Sequence, residues 1–220
     1  MVAPFSNHGD GPGRARNWAW DHSIHLGAKK HWVLDDNISD FYRLHQNQRI
    51  RVESGAIFKA AEDFVDRYEN IGLSGFNYYS FCKSTDAVPP FYLNTRIYSC
   101  ILVDNYLPFR WRGRYNEDTD LSIRVLKSGL CTVLFNAFLC GKVTTMRMGG
   151  GNTDELYAGE GRKNMAESLV EQHPDIARVS WKFGRWQHHV NYKGFRTKLI
   201  KAQKHNSGIC VNLRLCENCS

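Results

Sequence analysis

Two carboxylates and an amide, Asp35-Asp36-Asn37, close the apolar run His31-Trp-Val-Leu34. An apolar run that stops at a polar cluster reads as a buried strand. In open α/β sheets, ligands gather beyond the carboxyl ends of such strands. Hard oxygen atoms there suit Mg²⁺ or Mn²⁺, which share their coordination with substrate phosphates. The same three residues are good turn chemistry, so a plain turn competes with the metal reading.

Three further segments carry reactive groups. In Gly11-Pro-Gly-Arg-Ala-Arg-Asn17 a glycine-rich loop runs into a helix start, whose free N–H groups attract anions. Arg14 and Arg16 add forked donors for phosphate, and Asn17 can both donate and accept. In Arg112-Gly-Arg-Tyr-Asn-Glu-Asp-Thr-Asp120 an acidic helix start suits the macrodipole. Capping does not need Glu117, Asp118 and Asp120 together, so one carboxylate is left to take a proton from a hydroxyl. In Lys182-Phe-Gly-Arg-Trp-Gln-His-His-Val-Asn-Tyr192, Arg185, His188 and His189 are candidate contacts to a diphosphate or its metal. Neighbouring strand residues face opposite ways, so one histidine at most is a ligand. An ordinary capped helix and an ordinary amphipathic edge compete with these two readings.

The elements that must position these groups alternate. A helix is expected from Arg14 to about Leu26, stopped by Gly27, then a strand through Trp32, Val33 and Leu34. Ile57, Ala61, Phe64, Val65 and Tyr68 repeat at helical spacing over 54–70, with Gly72 as the stop. Phe76–Cys82 and Tyr92–Val103 read as strands around a Val88-Pro-Pro90 turn. Asn116 reads as the N-cap of a helix from Glu117 to Lys127 ended by Gly129, followed by a strand over Leu130–Phe138. Gly149-Gly-Gly151 reads as a hinge-like loop, Arg162–Gln172 as a helix closed by His173-Pro174, and Ile176–Trp181 as a last short strand. Strands alternating with helices define an α/β layer fold.

The 220 residues suffice for one domain with a real core, and the formal charge of +7 favours an anionic partner such as nucleic acid or a nucleotide. No apolar stretch reaches membrane-spanning length, and the polar, glycine-rich Met1–Gly13 does not read as a signal peptide. A cytoplasmic protein with no membrane partner is therefore expected. Of seven cysteines, Cys82, Cys100, Cys131 and Cys140 sit in apolar stretches and read as reduced core residues. His205, Cys210, Cys216 and Cys219 have one familiar zinc spacing, Cys216-x-x-Cys219, and otherwise read as a loose tail.

Taken in order, the segments resemble a GT-A glycosyltransferase: Ala15-Arg-Asn17, then Leu34-Asp-Asp-Asn37, then Asn116-Glu-Asp-Thr-Asp-Leu-Ser-Ile-Arg124 with Gly129. The closer resemblance is to the phage family of TET-associated glycosyltransferases. It rests on Gly13-Arg-Ala-Arg-Asn-Trp18, His31-Trp-Val-Leu-Asp-Asp-Asn-Ile38, Arg114-Tyr-Asn-Glu-Asp-Thr-Asp-Leu121, Gly150-Gly-Asn-Thr-Asp-Glu-Leu-Tyr157 and Lys182-Phe-Gly-Arg-Trp-Gln-His-His189. It covers about residues 9–200, which gives a GT-A-like domain over 1–200 and a basic, cysteine-containing tail over 201–220. The resemblance implies an α/β, GT-A-like (Rossmann-like) mixed sheet flanked by helices. Because the Arg-Asn helix starts at residue 14, it also implies that part of the N-terminal nucleotide-binding β-α-β segment is lacking.

The implied reaction moves a sugar from a nucleotide-sugar, a UDP-sugar foremost, to 5-hydroxymethylcytosine in phage DNA, the hydroxymethyl group being made by a TET-like dioxygenase. Asp35 and Asp36 would hold a divalent metal on the donor diphosphate. Asn37 stands where GT-A enzymes usually have an aspartate. Arg16 and Asn17 would face the nucleotide, and His188 or His189 the diphosphate. Asp118 would be the general base, with Glu117 as runner-up. The hydroxymethyl group projects into the major groove, so transfer does not require base flipping, though flipping is compatible with it. Lys182, Arg185, Lys193, Arg196, Lys198 and Lys201 would supply phosphate contacts, or form a solvated basic tail. Two other classes compete. One is a non-catalytic DNA-binding remnant. The other is a metal-dependent phosphodiesterase or nuclease built on Asp35, Asp36, Asp118 and His188, which has no evident use for the Arg-Asn helix.

Overall fold

The structure is a computed structural model that describes residues 11–142 and 161–203. Seven strands form one mixed sheet: β1 (Lys30–Leu34), β2 (Ile38–His45), β3 (Gln48–Val52), β4 (Ile71–Tyr78), β5 (Phe91–Leu93), β6 (Cys100–Asp104) and β7 (Cys131–Lys142). The order is β1-β6-β4-β7-β2-β3, with β5 also paired to β7. β4 and β7 run parallel and the other pairs antiparallel. Among the described residues four helices accompany it: α1 (Gly13–His25), α2 (Ala56–Val65), α3 (Glu117–Lys127) and α4 (Gly161–Gln172). A separate hairpin, β8 (Ala177–Lys182) and β9 (Arg185–Val190), follows. This is the expected mixed sheet flanked by helices.

Strand alternation splits the core into two layers. Leu73, Ile101, Val103 and Leu134 point to one face, where they meet Trp20 of α1 and Leu121 and Val125 of α3. Phe76, Cys100, Leu102, Val133 and Phe135 point to the other, under Ile57, Ala61 and Val65 of α2, and Ile71 joins them because the β4 register shifts between Ile71 and Leu73. Those three α2 residues are spaced by four, one buried stripe of a helix. Full burial of each large aliphatic side chain contributes about 1.5–3 kcal/mol. Ile123 on the far side of α3 packs with Leu169 of α4 and Ala177 of β8, which ties the hairpin to the sheet. Cys82, Cys100, Cys131 and Cys140 are buried free thiols, as expected.

Several boundaries differ from expectation. The α2 helix is shorter than 54–70, and Gly72 lies inside β4 instead of stopping the helix. The β4 strand ends at Tyr78, and residues 79–81 form a 3-10 turn. Tyr92–Val103 divides into β5 and β6 because Asn94 and Ser99 adopt φ of 55° and 59°, which breaks extended backbone. The edge pair β2 and β3 was not expected; its residues are half-exposed, so the apolar periodicity is weak. Gln46-Asn47 joins them with both φ positive, a primed hairpin turn. β8 is not the last strand, since β9 pairs with it. Asn116 precedes α3 as expected but in left-handed backbone, and its side chain donates to the Met165 carbonyl instead of capping the helix. Gly149–Gly151 and the tail residues His205, Cys210, Cys216 and Cys219 lie outside the described residues.

Candidate functional site

The first turn of α3 divides two polar regions. On one side Arg16 joins the end of β1 to the start of α3. Its Nη2 donates to Asp35 Oδ1 at 2.8 Å and its Nη1 to Glu117 Oε1 at 2.9 Å. The guanidinium also lies over the Trp111 ring, 4.8 Å from the centroid. Asp35 Oδ2 accepts from Ser99 Oγ at 2.7 Å and from Lys142 Nζ at 3.0 Å. The Asp35 N–H donates to the Ser99 carbonyl at 2.8 Å, so two bonds hold Ser99 in its left-handed conformation. Tyr78 OH closes the cluster 2.5 Å from Ser99 Oγ.

Two cations and two carboxylates thus balance each other. Burial pushes the Asp35 carboxyl up, but the Ser99 bond and the Arg16 and Lys142 charges outweigh it, leaving Asp35 below its ordinary value. Glu117 goes the other way: burial and the neighbouring Asp118 raise it, against the pull of Arg16.

On the other side lies Asp118. Its Oδ1 accepts from the Thr119 N–H at 2.6 Å and from Thr119 Oγ1 at 3.1 Å. Its charge acts on Arg96, His188 and Tyr192. Two cavities share Arg96 and His188, two of the groups that this charge reaches. One, of about 310 Å³, is lined by Asn116, Arg162, Arg185 and Trp186 as well. The other, of about 380 Å³, has aromatic walls from Phe81, Tyr92, Tyr98 and Tyr192. The buried Tyr192 hydroxyl has no hydrogen-bond partner among the described residues. Arg96 stacks on Tyr98 at 4.7 Å and makes no ion pair among the described residues. Burial, then the Arg96 charge, lowers His188 to about 4 against the opposing pull of Asp118. His188 is therefore neutral at pH 7, able to donate or accept. An NMR titration should place its midpoint at about 4, well below that of an ordinary histidine; an ordinary midpoint would show that the ring is solvated.

The remaining sequence-predicted residues fall as follows. Arg14 is exposed on the first turn of α1. Both ends of the Asn17 amide are engaged with the Trp111 backbone, each at 2.8 Å. Gly11 has φ +78°, and a Cβ there would stand 2.7 Å from the Arg114 carbonyl oxygen. The glycine loop is thus shaped by close packing against residues 111–114. Arg185 and His189 are exposed, His189 facing away from His188. Asp120 is wholly buried between Arg112, Arg124 and His173, and is structural.

Asp35-Asp36-Asn37 does form a turn, closed by the Ile38 N–H on the Asp35 carbonyl at 3.3 Å. Asp35 has both oxygens committed to other side chains. Asp36 is exposed, and the buried Asn37 Oδ1 has no donor among the described residues. Among the described residues no three His, Cys, Asp or Glu side chains gather as a ligand set. One carboxylate and one amide oxygen fit Mg²⁺ or Mn²⁺ only when substrate phosphates complete the shell.

Sequence reasoning missed Tyr78, Arg96, Ser99, Lys142 and Tyr192. Lys142 alone had a signal: it ends the apolar run Leu139-Cys140-Gly141, the logic that singled out Asp35.

The mixed α/β sheet flanked by helices is consistent with a glycosyltransferase-like fold. The family model described as TET-Associated Glycosyltransferase matches residues 1–151, and the chain belongs to that family. The match ends before α4 and the β8–β9 hairpin. No curated protein and no solved structure matches the chain.

Proposed function

We propose that this chain transfers a sugar from a nucleotide-sugar, a UDP-sugar foremost, to the hydroxyl of 5-hydroxymethylcytosine in phage DNA in the host cytoplasm. Family membership supports sugar transfer. The observation that carries the acid–base role is the division made by α3: Glu117 is bound to Arg16, while the Asp118 charge acts on Arg96 and His188, which line both cavities.

In this reading the donor lies on the Asp35 side and the acceptor on the Asp118 side. Arg185 and His188 then serve the acceptor and not the donor diphosphate. The hydroxyl oxygen attacks the anomeric carbon and forms the new C–O bond. The bond from that carbon to the phosphate oxygen breaks, and its electron pair leaves with the nucleoside diphosphate. The hydroxyl proton passes to Asp118 Oδ2, the oxygen that Thr119 leaves uncovered. Arg16 and Lys142 fix Asp35 and so set the lip of the sheet. Asp36 and Asn37 would hold a divalent cation, which when bound supplies positive charge to the leaving diphosphate.

Duplex DNA containing 5-hydroxymethylcytosine, offered a panel of UDP-sugars with Mg²⁺ or Mn²⁺, should gain one sugar per modified cytosine when its nucleosides are weighed. Salt-dependent DNA binding without turnover on any donor would support a binding remnant instead. Plasmid nicking would support a phosphodiesterase.

A further inference from the structure

The β8–β9 hairpin ends in a strained turn, a like-charge pair and exposed aromatic rings. Phe183 and Gly184 form its two-residue turn, with φ of 53° and 69°. Such turns favour Asn or Asp before glycine, and a bulky residue with positive φ is strained. Phe183 is also 90% exposed. Lys182 and Arg185 stand directly opposite each other on the two strands, a repulsive like-charge pair. Behind them Trp181 and Trp186 meet edge to face at 5.1 Å, with Trp181 59% exposed.

A partner that is anionic and offers flat surfaces for stacking would cover the exposed Phe183 and Trp181 rings and offset the Lys182–Arg185 repulsion. Nucleic acid has both properties, and the chain's charge of +7 agrees with it. The hairpin's own register connects tip and cavity. Trp181 pairs with Trp186 and Val179 with His188, so these residues share one face. That face runs from the turn to His188, which lines the aromatic-walled cavity with Arg96 and with Tyr192, whose hydroxyl has no partner among the described residues.

We propose that the hairpin is a DNA wedge: Phe183 enters the base stack and the displaced nucleotide swings into the cavity between β9 and Arg96. Lys182 and Arg185 take the flanking phosphates. Phe81 and Tyr92 stack on the extrahelical base, while Tyr192 OH and neutral His188 meet its polar edge. Apolar wedges and extruded bases are a known pairing of devices, since filling the gap offsets the lost stacking. The cavity choice rests on the transfer reading above, because Asp118 must reach the acceptor hydroxyl; the wedge itself does not.

The test uses the full chain and a duplex with 2-aminopurine beside 5-hydroxymethylcytosine. The wild type should raise 2-aminopurine emission. Phe183→Asn suits the turn better, so it should keep or raise the Tm while losing most of that rise. Its transfer rate on the duplex should fall about tenfold or more, the loss of one stacking contact. Phe183→Trp should restore both, and the Phe183→Asn deficit should be much smaller on single-stranded DNA, where nothing must be unstacked.

Equal emission from the wild type and Phe183→Asn overturns the wedge, whether or not sugar is transferred. Emission that depends on Phe183 without any transfer keeps the wedge and removes the 5-hydroxymethylcytosine reading. Phe183-dependent sedimentation with anionic vesicles, alongside unchanged 2-aminopurine emission, would assign the tip to a lipid surface and overturn the proposal.

Discussion

Asp118→Asn should lower kcat by about 10²–10⁴, the range for losing a general base. The amide keeps the side chain's size, and its oxygen can still accept from the Thr119 N–H that now meets Oδ1 at 2.6 Å. The first turn of α3 should therefore stay in place, and donor affinity measured by calorimetry should stay near that of the wild type. A second consequence falls next door. Asp118 is one of the two groups that raise Glu117, so the Glu117 carboxyl should titrate closer to its ordinary value in the variant. Glu117→Gln acts differently. It removes the negative charge from the contact with Arg16 and leaves that guanidinium with Asp35 as its one carboxylate partner among the described residues. Its effect should fall on donor KM more than on kcat. If Glu117→Gln removed turnover and Asp118→Asn did not, the two roles would be exchanged.

The largest effect on stability should come from Asp120→Ala, a loss of about 3–5 kcal/mol, as when one partner of a buried charge network is removed. Asp120 has no exposed surface and is bound by Arg112 at 2.9 Å, Arg124 at 2.8 Å and His173 Nε2 at 2.9 Å. Its removal leaves the largely buried Arg124 without its carboxylate. Burial alone would raise the Asp120 carboxyl. The His173 and Arg112 bonds and the Arg124 charge overcome it and hold the group at about 2. A carboxyl lowered by folding stabilises the native state above its unfolded value, and that stability is lost as pH falls through the folded value. Here the window runs from about pH 4 down to about pH 2, and the amount is about 2 kcal/mol. In urea unfolding, Asp120→Asn should trail the wild type by a wide margin at pH 6 and by a narrower one near pH 2.5. A constant gap would show that the carboxylate's charge is not what stabilises the fold.

Much of this arrangement was legible in the chain. The runs around Trp32–Leu34 and Leu130–Phe138 and the helical stripe Ile57, Ala61, Val65 carry their periodicity in the sequence, because burial on one face demands it. The acidic start and glycine stop of α3 were equally plain, since helix ends select their residues locally. Edge strands were not. β2, β3 and β9 bury little, so nothing imposes a period on them, and β9 was read as a chemical motif.

The sequence by itself determined the α/β layering, the elements that carry Asp35, Glu117 and Asp118, and the family, because these rest on local spacing and on motif order. Only the tertiary structure decided which partners those groups meet. Arg16 lies 101 positions from Glu117 and Lys142 lies 107 from Asp35, and no local pattern records such a pairing. The same long-range packing engages Asn17 with Trp111, buries Asp120 and binds Glu117 to Arg16. Charge, burial and hydrogen bonding fix what a carboxylate can do, and these are properties of its neighbours in space.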